Sequence, residues 1–385
     1  MTAFVDATKR YDVLVCVGAG GVGKTTVAAS LGMLFALEGR ETLVCTIDPA
    51  RRLAQALGVD HLGNTATRVS DDLPFSALML DMKKSWDDLI TRVVPGPQRE
   101  RIFANKFYQS LSSALAGSQE YIAVEKLAEL RSVHPNTLLV LDTPPTTHAL
   151  DFLAAPNRIL DFLDHDAARW LLAPTMKASA WSLKALNVGG GSVLRGLSRF
   201  TGTETLAALA DFVSALTDFQ EAFRLRAAQA KSLLSSKTTG FVVVTSPAPE
   251  RLAETRALVT ALREQDLHLA GVVVNRVHPA VAAQTAQGVS ALPESLRNAA
   301  RLAVSEAQAR FESDQRYLRP LLSEGAGLPW ADLPQWDLDV HSIQGLKTVA
   351  RYLQTPPPPS PTRKNRLSSQ ASREQSHQVH CRSTT

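Results

Sequence analysis

The chain of 385 residues is short of cysteine, methionine and excess charge, and each shortage removes a class of function. Its three cysteines, Cys16, Cys45 and Cys381, are an odd number with no Cys-x-x-Cys spacing. That argues against a disulfide framework, a zinc ribbon and an iron–sulfur cluster. Five methionines leave no sign of a Met-rich adaptable binding groove. No apolar run reaches the ~18–20 residues needed to cross a bilayer. Lys9 and Arg10 followed by Val13 to Val17 imitate the start of a signal peptide, but the apolar stretch is short and runs into a glycine-rich loop. A cytoplasmic protein is expected.

The net charge of +4 resides in residues 356–385, where Arg363, Lys364, Arg366, Arg373 and Arg382 face Glu374 alone, so the remainder is neutral. No aromatic side chain is interleaved there for base stacking, and no nucleic-acid partner is expected. This stretch opens with PPPPSP and has too little apolar content to offset its ordering entropy. It reads as a disordered basic tail following a single domain over residues 1–355.

What the chain does have is 45% hydrophobic residues arranged in short blocks. Apolar runs of strand length lie at 12–17 (DVLVCV), 42–47, 75–80, 137–141, 241–245 and 269–274, with helical patterns between several of them. The spacing predicts an α/β protein with a mostly parallel, doubly wound sheet. A helix is expected over 25–38, another over 294–317 and a last amphipathic one over 342–353. Residues 84–132 and 150–236 are nearly strand-free and read as helical insertions forming an α-helical subdomain. Within the second, Leu206, Leu209, Phe212, Val213, Leu216 and Phe219 recur at helical steps, a stripe that either packs on neighbouring helices or lines a client groove.

The motif with the most chemistry is GAGGVGKTT, residues 18–26, which fits G-x-x-x-x-G-K-[ST] between an expected strand and an expected helix. Main-chain N–H groups of Gly20, Gly21, Val22 and Gly23 would wrap a phosphate chain at a helix N-terminus. Lys24 would reach the β- and γ-phosphates, Thr25 would ligate Mg²⁺, and Thr26 would face the α-phosphate. Asp142 closes the run LLVL, at the strand end where α/β proteins bind ligands; it suits the Mg²⁺ shell or an ordinary turn. Asp48, in TIDPARRLAQALG, is either a helix N-cap or the carboxylate that orients an attacking water. A Rossmann dehydrogenase is disfavoured because the glycines continue into Gly-Lys-Thr-Thr.

Together DVLVCVGAGGVGKTT, TIDPARRLAQALG and DTPPTTHAL resemble the phosphate loop, switch I and switch II of the ArsA family, the arsenite-pump and tail-anchored-protein-targeting ATPases of the MinD-like P-loop group. The resemblance continues through FVVVTSPAPERLAETRALVTAL and GVVVNR, to a terminal strand and helix, and spans roughly residues 11–353. It implies a P-loop NTPase that uses ATP and Mg²⁺ and works as a nucleotide-switched dimer, handling a membrane-protein client or driving a permease. It also implies roles: Asp48 activates water, Asp142 sits near magnesium, Asn275 reads the adenine ring, and His148 relays the nucleotide state unless it is an ordinary histidine near a helix start.

Three departures qualify this. Ala19 stands where the family carries a lysine that reaches the partner's phosphates, so a homodimer should hydrolyse ATP slowly unless another cation substitutes. Pairing with a lysine-bearing paralogue would supply it. Thr147 stands where switch II has a glycine, although Thr does not readily adopt a positive φ. The cysteines do not provide an arsenite triad or the zinc-bridging Cys-x-x-Cys. The remaining readings are a slowly hydrolysing regulatory subunit and, least supported, a partition or septum-positioning ATPase, since the chain ends in polar residues and no amphipathic helix.

Overall fold

Runs in which every residue is apolar make strands only where both faces of a sheet are covered. The computed structural model describes residues 2–48, 50–106, 108–109, 118–143, 154–157, 219–324, 328–336 and 340–355. Its strands are β1 (Val13–Val17), β2 (Thr42–Thr46), β3 (Thr67–Ser70), β4 (Phe75–Met79), β5 (Leu138–Asp142), β6 (Thr239–Thr245), β7 (Leu269–Val277) and β8 (Trp330–Pro334). They form one sheet in the order β3-β4-β2-β5-β1-β6-β7-β8. Every neighbouring pair is parallel except β3 with β4.

Alternation along each strand divides the core into two layers. Leu14, Cys16, Val44, Val140 and Val242 point to one face, where they pack with α1 (Ala3–Lys9), α2 (Lys24–Leu37) and α11 (Ile343–Leu353). Val13, Val15, Leu43, Cys45, Leu141 and Val243 point to the other, covered by α6 (Ser118–Val133), α7 (Gln220–Leu234) and α8 (Pro249–Glu264). This is the mostly parallel sheet covered on both faces that the alternation implied. The N-terminal residues are part of it: the Thr2 side chain accepts from the Val5 N–H to cap α1 and donates to the Leu353 carbonyl at the end of α11 (3.0 Å).

Between β4 and β5 lie α4 (Met82–Val93), α5 (Gly96–Ala104) and α6. Leu89, Ile90, Tyr121 and Ile122 pack there against Phe223 and Ala227 of α7, giving a third apolar cluster beside the sheet core. Its ionic centre is Glu125, nearly dry, which pairs with Arg92 at 3.0 Å and Arg226 at 3.5 Å. Burial raises the Glu125 carboxyl pKa, and the two guanidinium groups oppose that shift. The stripe from Leu206 to Leu216, His148, Thr147 and the tail with Cys381 lie outside the described residues.

Further α-helices among the described residues are α3 (Arg52–Leu57), α9 (Ala283–Gly288) and α10 (Glu294–Glu324). α10 outruns the expectation of 294–317 and carries Pro320 in its last turns. None of the described helices is long and apolar enough to cross a membrane.

Candidate functional site

The described candidate residues fall at the carboxyl edge of the parallel strands, where open α/β sheets bind ligands. The loop after β1 reaches α2 through Gly23, which is left-handed at φ 93° and would drive a Cβ into the Asn275 side-chain amide. Gly18 at the loop's start lies against the Val244 carbonyl with no room for a Cβ. No side chain caps α2, and the N–H groups of a helix's first turn have no intrahelical acceptors, so this terminus is suited to an anion.

Within the loop, Val22 buries its side chain in the core while its carbonyl accepts from Asn275 Nδ2 at 2.8 Å. Lys24 is buried and folded back, its Nζ donating to the Gly18 and Ala19 carbonyls at 2.9 Å each. Desolvation lowers its pKa, and Asp142 and then Asp48 pull the other way. Ala19 presents no cation and packs its methyl against the sheet core.

Asp142, at the end of β5, is fully buried. Its Oδ2 accepts from the Thr25 hydroxyl at 2.7 Å and the Thr46 hydroxyl at 2.8 Å, whereas Oδ1 is dry and has no hydrogen-bond partner. Burial raises its pKa from 3.8 to about 6, despite those two donors and Lys24. A buried carboxylate with an orphaned oxygen, tied to a threonine hydroxyl at the phosphate loop, fits a Mg²⁺ ion whose other ligands come from phosphate and water.

Asp48 follows β2 and does more than end it. Its Oδ1 accepts from the Ala50 N–H at 2.9 Å, and its Oδ2 meets Arg52 Nη1 at 3.2 Å. The N-cap position of α3 belongs instead to Arg51, held at φ 25°. Asp48, Lys24, Thr25 and Thr26 line a common cleft of about 440 Å³, together with Gly21, Gly23, Arg52, Gln55, Thr143, Arg276 and His341.

Asn275 is not among the lining residues; it sits behind the loop, with Nδ2 on Val22 and Oδ1 accepting the Arg276 N–H at 3.0 Å. Its neighbour Arg276 is left-handed at φ 64°, where the β7–β8 register shifts, so an irregularity in the strand turns its side chain to the cleft. Thr46, Arg52, Arg276 and His341 were not singled out by sequence reasoning. Thr46 and Arg52 flank Asp48 within the quoted segment, but their convergence on Asp142 and on the cleft requires the fold.

A glycine-rich loop feeding a helix at the centre of a parallel sheet, with a buried carboxylate on the adjacent strand, defines a P-loop NTPase fold. The chain belongs to the anion-transporting ATPase family, the ArsA family, which it matches over residues 11–326. It is 28% identical to ATPase GET3B of Arabidopsis thaliana over 294 residues, 71% of this chain and 66% of that protein. It is 27% identical to ATPase ARSA1 of Chlamydomonas reinhardtii over 285 residues, 68% of this chain and 34% of that one. Identity to ATPase GET3 of Malassezia globosa is 33% over 149 residues, 39% of this chain and 44% of that protein. The chain thus spans between about a third and two thirds of these relatives' lengths.

Proposed function

We propose that the chain is a Mg²⁺-dependent ATPase whose nucleotide cycle, run in a dimer, moves the helical region and thereby handles a protein client or energises a membrane partner. One observation carries the reading: Lys24, Thr25 and Asp48 line one cleft beside an uncapped helix N-terminus, and the buried Asp142 stands behind it, bonded to the Thr25 hydroxyl. Family membership supports the same activity.

In this reading the loop amides and Lys24 bind the phosphates. The bound ion would neutralise charge on the β- and γ-phosphate oxygens, held through Thr25 and Asp142. Asp48 orients the attacking water, a positioning role that suits a reaction needing little covalent help from the protein. The water oxygen bonds to the γ-phosphorus as the bond from that phosphorus to the β–γ bridging oxygen breaks. The electron pair leaves with ADP, and the water proton passes through Asp48 to phosphate or solvent.

Calorimetric titration and phosphate release test this together. Lys24→Ala should abolish Mg-ATP binding, and Asp48→Asn should keep binding and lose hydrolysis. Undiminished turnover by Asp48→Asn would remove the water-orienting role, and a wild type without magnesium-linked ATP affinity would remove the ATPase reading.

Ala19 favours a second reading, a slowly hydrolysing nucleotide-binding subunit paired with a paralogue that carries the missing lysine. Phosphate release that rises on mixing with such a partner, or in an Ala19→Lys variant, would support it.

A further inference from the structure

The loop offers no cation from position 19, yet phosphoryl transfer gains most from positive charge placed where the γ-phosphoryl group passes between oxygens. Two arginines line the cleft, Arg52 and Arg276. Their positions in the sheet distinguish them. In the order β2-β5-β1-β6-β7, Asp142 ends β5 and Asp48 follows β2, strands that lie on one side of β1, and Arg276 lies on β7, two strands away on the other. Thr25, Asp142 and Asp48 mark the first side as that of the terminal phosphates, so Arg276 stands toward the opposite end of a bound nucleotide.

Arg52 stands on the phosphate side. Its guanidinium touches Asp48 Oδ2 at 3.2 Å, its side chain lines the cleft and is 56% exposed to solvent, and its charge acts on Lys24. The turn that delivers it is built for placement. The Asp48 carboxylate receives the Ala50 N–H, and Arg51 takes a left-handed φ of 25°, an unfavourable conformation for a residue with a side chain. Asp48 therefore holds Arg52 next to the site where water is oriented, with N–H groups left to donate to phosphoryl oxygens.

We propose that Arg52 is a catalytic arginine acting within its own chain, contacting the γ-phosphoryl oxygens in the transition state and replacing the cation that Ala19 does not supply. This rests on the ATPase reading above and deepens it. It makes turnover a property of the single site, without a lysine from a partner.

The test compares wild type, Arg52→Ala, Arg52→Lys and Arg276→Ala in three measurements: kcat, Mg-ATP affinity, and affinity for Mg-ADP with aluminium fluoride, a mimic of the transferring phosphoryl group. Arg52→Ala is expected to lower kcat by about 100-fold or more, a conservative figure for a catalytic arginine. It should weaken the aluminium fluoride complex by a similar factor and leave Mg-ATP affinity within about threefold, because only an interaction made in the transition state divides the two. Arg52→Lys, keeping charge but losing the planar fork, should fall between, and Arg276→Ala, at the far end of the nucleotide, should weaken Mg-ATP and the aluminium fluoride complex alike. Equal kcat in wild type and Arg52→Ala would overturn the proposal, as would a loss confined to Mg-ATP affinity. A wild type that binds Mg-ATP without turning it over would also overturn it, leaving the nucleotide-binding subunit. A wild type that binds no Mg-ATP would remove the ATPase reading itself.

Discussion

The orphaned oxygen of Asp142 makes the protein's stability depend on pH in a way that reports directly on the site. The folded state raises this carboxyl from 3.8 to about 6, chiefly by burial. The native chain therefore holds a proton between those values that the unfolded chain has released. Stability from this group is fully present below the unfolded value and is lost as pH rises through about 6. At about 1.4 kcal/mol per pKa unit, the loss between about pH 4.5 and about pH 7.5 comes to ~2 kcal/mol. Denaturant unfolding of wild type and Asp142→Asn over that range isolates it, since the other titrating groups are common to both. In the absence of nucleotide and magnesium, the stability of wild type relative to Asp142→Asn should fall by ~2 kcal/mol as pH rises. Saturating magnesium and ADP should remove the fall, because a cation beside Oδ1 favours the ionised form. A stability difference that stays flat with pH in the free protein would refute the reasoning.

Two further substitutions or reagents probe the same edge of the sheet. Gly23→Ala places a methyl group on the Asn275 amide at a φ of 93°, so Mg-ATP affinity measured by calorimetry should drop about tenfold, the equivalent of ~1–2 kcal/mol of left-handed strain. Adding Asn275→Ala should recover only the part due to the collision. Cys16 and Cys45 are fully buried, and burial pushes both thiols far up, so in a Cys381→Ser background a thiol reagent should modify neither until denaturant is added. Rapid labelling of the folded protein would place at least one of them at an accessible surface.

How much could be read in advance follows from what each element buries. The central strands were legible because both faces are covered and each carries an unbroken apolar run of at least three residues, and β5 and β7 begin within a residue of where those runs do. β3 was not seen: its four residues, TRVS, are polar at three positions and lie exposed or half-buried at the sheet edge, so no apolar run announces it. β8 is similar, since WADLP alternates and only the family resemblance suggested a terminal strand. α10 continues past the expected end at 317 because Leu318 and Leu321 are buried in the sheet-side core, packing that offsets the cost of Pro320. The phosphate loop was legible as a contiguous motif. Thr25 and Asp142 were both read as magnesium candidates, but the part of Thr46 was not legible, because it lies 96 residues from Asp142 and meets it only through the β2–β5 pairing.

Position 19 separates two functions that a single loop residue serves. Its carbonyl is one of the two acceptors that hold Lys24 in place, and any residue supplies a carbonyl. Alanine therefore leaves the cradle intact: Lys24 remains on the Gly18 and Ala19 oxygens, and Asn275 still braces Val22 from behind. What alanine removes is only the reach of a side chain. A cradle already ordered before nucleotide arrives keeps the binding cost low, so the consequence of the alanine belongs in turnover and leaves affinity largely unaltered. In the proposed mechanism the cation that restores turnover must reach the γ-phosphoryl group without disturbing the loop, and Arg52 meets that requirement because it enters from the turn after β2 and touches Asp48, with no bond to the loop among its described contacts.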